Sequence, residues 1–381
     1  MLGDYFIEIM AKYIQHSPLA VRHYREQIGL STGFLAKKSG IAQSTIEKGE
    51  RQNQAFNYGQ IQKLAKCLFV PDFYLLSEHI QDSIIPEAVD HRNFNLLDRT
   101  EDLEYSSQKA LHELMDNRNN LLYTYESLDE PIDQFSLELS GGSVVSDAKL
   151  IRDWLGVDEA KFRTQNNDDY YRSWRTLVEK NNVMVIELSK TKIGSEGMAI
   201  YYDTLPIIAI LSSGQSHSRR LFTMIHELVH LGLRQSTIDG DILADDLKLE
   251  QYCNQVAGHV LVPKDVVETL YDDTVALADN VNCIRKSIKV SRQAIAIQLK
   301  LLRLIDQASL SAYLSELDTQ TQSGKFGLPS RTRTHNQFGK VYLQQVISAV
   351  WHGSIPITTA MNMLHLKDVS DLMYLEQKVF S

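Results

Sequence analysis

Residues 221–233 read LFTMIHELVHLGL, a His-Glu-x-x-His pattern set in an otherwise apolar stretch. On an α-helix, positions four apart lie on one face, one turn apart, so His226 and His230 can offer two imidazoles to a single ion. Glu227, rotated by about 100° from His226, then points at a water beside that ion. A zinc hydrolase needs this arrangement: two neutral nitrogens, a third protein ligand and an open position for the water to be activated. The pattern alone is short, so its meaning rests on its surroundings.

The surroundings supply a second helix. In LEQYCNQVAGHVLVP (249–263), Leu249, Tyr252/Cys253, Val256/Ala257 and Val260/Leu261 recur at helical spacing, and Pro263 marks the end. Glu250 borders that apolar stripe. A carboxylate facing a core is costly unless it is paired or holds a metal, which makes Glu250 the natural third ligand. The competing reading has Glu250 merely begin a helix and favour its dipole. His217 and His259 each sit nine positions from a candidate ligand, half a turn out of phase, and are expected to be solvent or packing histidines. Cys253 is expected to be a small buried thiol, although it lies close enough in sequence to approach the site. Asp241, Asp245 and Asp246 are expected in a polar loop and helix cap rather than as substitute ligands. With such a site, Glu227 takes the proton of the activated water and later delivers it to a leaving amine.

Upstream, the chain alternates helical DAKLIRDWLG (147–156) and YYRSWRTLVEKN (170–181) with strand-like VMVIEL (183–188), MAIYYD (198–203) and PIIAIL (206–211). A small sheet followed by two long helices makes an α+β unit. Pro206 places the last strand at an edge or makes it begin there. An exposed edge such as MAIYYD can pair with an extended peptide. Tyr201 and Tyr202 are candidate oxyanion donors, though packed strand aromatics are the more ordinary outcome.

Composition bounds the rest. The 381 residues exceed one ordinary core, and 43% hydrophobic with 23% charged residues is a soluble globular balance. The longest apolar runs, such as 205–211, fall far short of the roughly 20 residues of a membrane helix. The first residues carry acidic groups and no basic region followed by an apolar one, so no signal peptide is read there. Three scattered cysteines, Cys67, Cys253 and Cys283, argue for a reducing compartment, and the cytoplasm is expected. The net charge is −9, yet residues 20–66 carry eight Lys/Arg against three Glu, a locally basic module of the kind that contacts nucleic acid.

That module contains short helical patterns at 19–28, 31–38, 42–51 and 57–68, separated by Gly29-Leu30, by Ser39-Gly40-Ile41 and by a polar loop. A connector containing Pro86 follows, then a long helix to about 127 that is expected to act as a spacer or a homodimer surface. Beyond Pro263 the pattern is helical, with VSRQAIAIQLKLLRLI (290–305) amphipathic. Residues 319–335 read as a linker and the last 45 as a small helical tail.

Residues 20–76 resemble the helix-turn-helix domain of Xre/Cro-type repressors, through Leu35-Ala36, Ser39-Gly40-Ile41, Ser44-Thr45-Ile46 and Leu64-Ala65-Lys66. The resemblance implies that Gln43, Ser44, Thr45 and Lys48 face base edges or phosphates. Thr32 stands where that family often has Gln, and Gly49 replaces a large apolar residue, at a cost in helix stability and in an anchor. With PEAVDHRNF, YYRSWRTLVEKNNVMVIEL, AIYYDTLPIIAILSS, RRLFTMIHELVHLGL and EQYCNQVAGHVLVP, the whole chain is similar to ImmA/IrrE metallopeptidases fused to such a domain.

The resemblance implies a mixed, multi-domain fold. Residues 1–80 form an all-α helix-turn-helix domain, 81–135 a helical connector and 136–270 an α+β, zincin-like metallopeptidase domain. Residues 271–318 form a helical extension, and 319–381 a linker with a helical tail. It implies Zn2+ held by His226, His230 and Glu250, with Glu227 catalytic. The implied activity is that of a cytoplasmic endopeptidase that cleaves a protein partner, a transcriptional repressor, with DNA contact through residues 20–66 and no membrane partner. Alternative readings are a DNA-binding regulator whose peptidase fold senses a partner, or the peptidase half of a toxin-antitoxin or phage-defence pair.

Overall fold

The computed structural model describes residues 13–80, 101–158, 162, 165–189, 196–234, 242–318 and 330–381. The connector around Pro86, the PEAVDHRNF stretch, Asp241, the side chains of Asp245 and Asp246, and most of the expected linker lie outside the described residues. The described fold is mostly helical with a small mixed sheet, and it divides into two units whose boundary falls within one long helix.

In the first unit, helices Pro18–Gln27 (α1), Thr32–Ser39 (α2), Gln43–Gly49 (α3) and Tyr58–Leu68 (α4) stand within about two residues of where the apolar spacing placed them, and a short helix Asp72–Leu76 (α5), which the spacing did not mark, follows. Their starts are fixed by side-chain caps. Ser17 accepts from the Ala20 N–H, Ser31 from that of Phe34, and Asn57 with Gln60 forms a capping box; each cap is worth about 1 kcal/mol. A left-handed Gly40 (φ 69°) stops α2 and turns the chain into α3. Leu35, Ile46, Phe56, Ile61 and Leu64 are fully buried together. A two-residue strand pair, Tyr13–Ile14 (β1) with Phe56–Asn57 (β2), delivers Phe56 to that core. A Cβ on Gly49 would fall inside the Phe56 ring, and His16 Nε2 bonds the Gly49 carbonyl at 2.9 Å. The glycine is therefore no lost anchor: Phe56 reaches in from β2 and supplies the apolar bulk itself. Arg25 forks onto Glu50 at 2.6 and 3.0 Å and also donates to the Leu30 carbonyl, tying α1 to the end of α3.

Helix Glu101–Ser127 (α6) gives its first half to this unit and its second half to the other. The second unit continues with Val144–Leu155 (α7), Asn167–Lys180 (α8), strands Met184–Leu188 (β3), Gly197–Ile200 (β4) and Ile207–Leu211 (β5), and helices His217–Leu233 (α9) and Ile242–Leu261 (α10). Helices Lys264–Leu270 (α11), Leu277–Ile288 (α12), Arg292–Leu301 (α13), Gln307–Asp318 (α14), Ser330–Trp351 (α15), Ile357–Met363 (α16) and Val369–Phe380 (α17) complete it. The sheet order is β3-β5-β4, with β3 parallel and β4 antiparallel to β5. Pro206 directly precedes the central strand, where its missing N–H costs nothing, and its carbonyl accepts from Met184.

Strand β4 is shorter than MAIYYD predicts. Tyr201 and Tyr202 leave the sheet because the Asp203 carbonyl is taken by the Phe135 N–H and Leu205 adopts a positive φ of 56°. Helix α9 lies on β4 and β5, and α10 packs against both α9 and α7. One apolar core joins Phe135, Trp174, Ile208, Leu228, Val256 and Ile295, so helices α11–α14 share the interior of the two long helices. Each fully buried side chain of this size contributes about 1.5–3 kcal/mol. Among the described residues no helix is long and apolar enough to cross a membrane.

Candidate metal centre

Helix α9 begins at Ser216, whose hydroxyl accepts from the Arg219 N–H, and it buries Leu221, Met224, Ile225 and Leu228. That phase leaves His226 and His230 at the rim of the core, with side chains 12% and 14% exposed. Helix α10 crosses them with Glu250, whose carboxylate is more open at 36%. The helix begins at Ile242, two turns before Glu250, so the carboxylate does not serve a helix start. The reading of Glu250 as a dipole partner of an N-terminus is thereby set aside.

The three side chains converge. His226 Nε2 and His230 Nε2 lie 3.1 Å apart, and the Glu250 oxygens lie 3.2 Å from the first and 3.3 Å from the second. A tetrahedral ion with bonds of about 2.0–2.1 Å needs ligand atoms roughly 3.3 Å apart, so the observed spacings fit a zinc-sized ion without rearrangement. Hydrogen bonds from His226 and then His230 hold the Glu250 carboxyl well below the usual carboxylate range, outweighing its partial burial. Among the described residues this is the His/Cys/Asp/Glu group whose ligand atoms lie within 4.8 Å of one another.

Glu227 is buried beside this group, 4% exposed. Its neighbour is Gly197 of β4, a residue that sequence inspection passed over. A Cβ at 197 would overlap the Thr223 methyl and stand 2.6 Å from Glu227 Oε1, so glycine there lets the strand lie directly along the carboxylate. Cys253 is fully buried, as expected, and its sulfur stands 3.9 Å from His230 Nδ1. His226 Nδ1 is buried without a partner.

A second missed residue sets the crossing of the helices. Asp147 of α7, 3% exposed, accepts from the Tyr252 hydroxyl at 2.7 Å and from the Gly141 N–H at 2.9 Å. Burial pushes its carboxyl up, but these bonds with those from Ser140 outweigh it and hold it below its ordinary value. Since Tyr252 is two residues from Glu250, this clamp fixes where α10 presents the Glu250 carboxylate. Arg152 adds a bond to the Val260 carbonyl.

The remaining candidates are elsewhere. His217 pairs with Asp168 at 3.0 Å and stacks on Tyr171, and His259 bonds Gln298 at 2.9 Å. The Tyr201 hydroxyl donates to Asp203, and Arg118 covers the Tyr202 ring at 3.7 Å while donating to the Thr204 and Leu205 carbonyls. Both tyrosines are thus engaged in local packing. On α3, Gln43, Ser44 and Lys48 are exposed and Thr45 is half-buried, and the Gln43 amide is bonded to Thr32 and Glu47.

Searches of the curated proteins and of the solved structures find no match. The family model described as Peptidase_M78, IrrE N-terminal-like domain, matches residues 178–300. The match takes in the three-stranded sheet, α9, α10 and all three clustered side chains, and it leaves the first unit outside. Residues 178–300 are an IrrE N-terminal-like, Peptidase_M78 domain.

Proposed function

We propose that this chain is a regulatory zinc-dependent endopeptidase that cleaves a protein partner, a transcriptional repressor. The carrying observation is the convergence of His226, His230 and Glu250 at tetrahedral spacing with Glu227 buried alongside. A zinc ion held by the two imidazoles and the Glu250 carboxylate would supply Lewis-acid chemistry, polarising a scissile carbonyl and acidifying a water. Glu227 is the general base: it accepts the proton of the attacking water and returns it to the leaving amine. The peptide lies along β4, the edge strand beside Glu227, paired by main-chain hydrogen bonds.

The first unit is read as a helix-turn-helix domain that brings the peptidase to DNA or to a DNA-bound repressor. The exposure of Gln43, Ser44 and Lys48 on a short helix behind a glycine turn supports this reading. The same exposure favours the runner-up, a DNA-binding regulator whose peptidase domain senses a partner without turnover.

Metal analysis of the purified chain tests the first part. About one zinc per chain, lost in His230→Ala, supports the centre; a zinc-free chain after supplementation overturns it. Glu227→Gln separates the two readings, since it leaves the metal ligands and α3 untouched. Loss of regulation in that variant supports hydrolysis, and full regulation supports sensing.

A further inference from the structure

The second unit contains a cavity of about 600 Å³ away from the metal centre, between α8, the start of α9, and α15 with α17. None of His226, Glu227, His230 or Glu250 lines it. Its size is that of a small-ligand site, and its lining carries Arg172, Arg175, Lys180, Arg220, Lys340 and Lys378 against Asp168, Asp169 and Glu187.

The acidic groups are already committed. Asp168 pairs with Arg172 at 2.9 Å and with His217, Asp169 takes a bond from the Asn166 amide, and Glu187 is shared between Arg175 and Arg220 at 3.3 and 2.8 Å. Lys180, Lys340 and Lys378 make no ion pair among the described residues. Charges of one sign gathered around one space repel one another and favour a counter-anion. Deeper in, Arg220 is anchored by Glu187 through one terminal nitrogen, while its Nε is buried with no partner. The Gln165 carbonyl oxygen, also on the lining, is likewise buried and unpartnered. An unused donor and an unused acceptor in one polar cavity match a ligand that carries both an anionic group and hydroxyls. His217, the first residue of α9, lines the same space, so the cavity lies at the positive end of that helix. The local field is visible at His335, whose imidazole is pushed down to about 4 by burial and by Arg172, Arg175 and Lys378.

We propose that this cavity binds a small phosphorylated metabolite. The phosphoryl group sits among the lysines and the free Arg220 donor, and a hydroxyl of the ligand donates to Gln165. Arg220 precedes His226 by six residues on α9, about 9 Å along the axis, so the ligand rests on the helix that carries two of the metal-centre side chains without touching that centre.

The test is calorimetric titration of the full chain with inorganic phosphate and with adenosine 5′-monophosphate. Saturable binding of either probe is expected. Affinity should fall about tenfold or more in Lys180→Glu/Lys340→Glu, which reverses two cavity charges outside the buried ion-pair network. Lys378→Glu, on an exposed position, gives a single-site check should the double variant fold poorly. His230→Ala should bind the probes like the native chain, which separates this site from the metal reading. No binding of either probe up to about 10 mM, or equal affinity in the folded charge-reversed variants, would overturn the proposal.

Discussion

Gly197→Ala is the sharpest probe of the peptidase reading, because it adds one methyl and touches none of the three clustered ligands. The new Cβ would overlap the Thr223 methyl and lie 2.6 Å from Glu227 Oε1 and 3.0 Å from its Cγ. Ordinary contact begins near 3.4 Å, so the Glu227 carboxylate must retreat by roughly 0.8 Å or the strand must lift by as much. Overpacking of this kind costs about 1–3 kcal/mol of stability. A reacting group misplaced by about 1 Å loses on the order of a hundredfold in turnover. Three readouts are needed: zinc per chain, thermal unfolding, and hydrolysis of an unstructured protein substrate. The expected result is full zinc, a modest fall in Tm and a turnover loss approaching that of Glu227→Gln. A folded, zinc-loaded Gly197→Ala protein that turns over like the native chain would refute the placement of Glu227 as the base.

Three other substitutions test the fold that holds the site. Gly49→Val, which places a branched side chain where the resemblance to Xre/Cro-type repressors leads one to expect bulk, should destabilise the first unit by about 1–3 kcal/mol because Phe56 already fills that space; stabilisation in denaturant titration would contradict the packing. Asp147→Asn should cost about 1.5–3 kcal/mol at pH 7 through weakened bonds to Tyr252 and the 140–141 backbone. Because the folded-state pKa of Asp147 is depressed, its contribution is complete above its unfolded value near about 4 and disappears as pH falls through the lower folded value. The penalty should therefore shrink at about pH 3, and an undiminished penalty there would count against the ionic clamp. Arg175→Met leaves Glu179 buried without its cation, while Glu187 keeps Arg220, a loss of about 3–5 kcal/mol. Hydrogen exchange should accelerate across residues 330–351, and unchanged protection would show that Arg175 does not hold that helix.

What the sequence revealed of the site was what helical periodicity encodes. His226 and His230 are four apart with Glu227 between them, and Glu250 sits in a second stripe whose phase could be read from Cys253, Val256 and Val260. Residues that act across long separations were not legible. Gly197 meets Glu227 through strand–helix packing, and Asp147 meets Tyr252 across 105 positions, so no local pattern announces either contact. Gly49 was misread for the same reason, since the ring that occupies its space arrives from β2. Arg175 and Glu179 did leave a signal: they are four apart and share the buried phase of Tyr171 and Val178, where unpaired charges would not be tolerated. Besides Val185 and Glu187, the partners of that pair, Asn336, Gln337 and Val341, lie beyond residue 330, which periodicity cannot supply.

Those partners give the carboxy-terminal helices a structural role. In the parallel β3–β5 pairing, Met184 N–H and Leu188 carbonyl face β5, so the Val185 carbonyl points to the outer edge of β3. Arg175 donates to that carbonyl and, from the same guanidinium, to the carbonyls of Asn336 and Gln337 on α15. Glu179 completes the joint by accepting from Arg175 and from the Val341 N–H, just past Gly339, whose φ of 76° and ψ of −179° break the helix there. A side chain at 339 would collide with both Glu179 and Arg175, so the break and the ion pair require each other. The edge of β3 is thus closed by a helix and a buried cation, one of the ways a sheet avoids adding a stray strand. The opposite margin, β4, lies against Glu227. Under the proposed function, in which a peptide pairs with β4, the covered edge of β3 gives residues 330–351 a second role, since that edge is no longer offered to an extended segment.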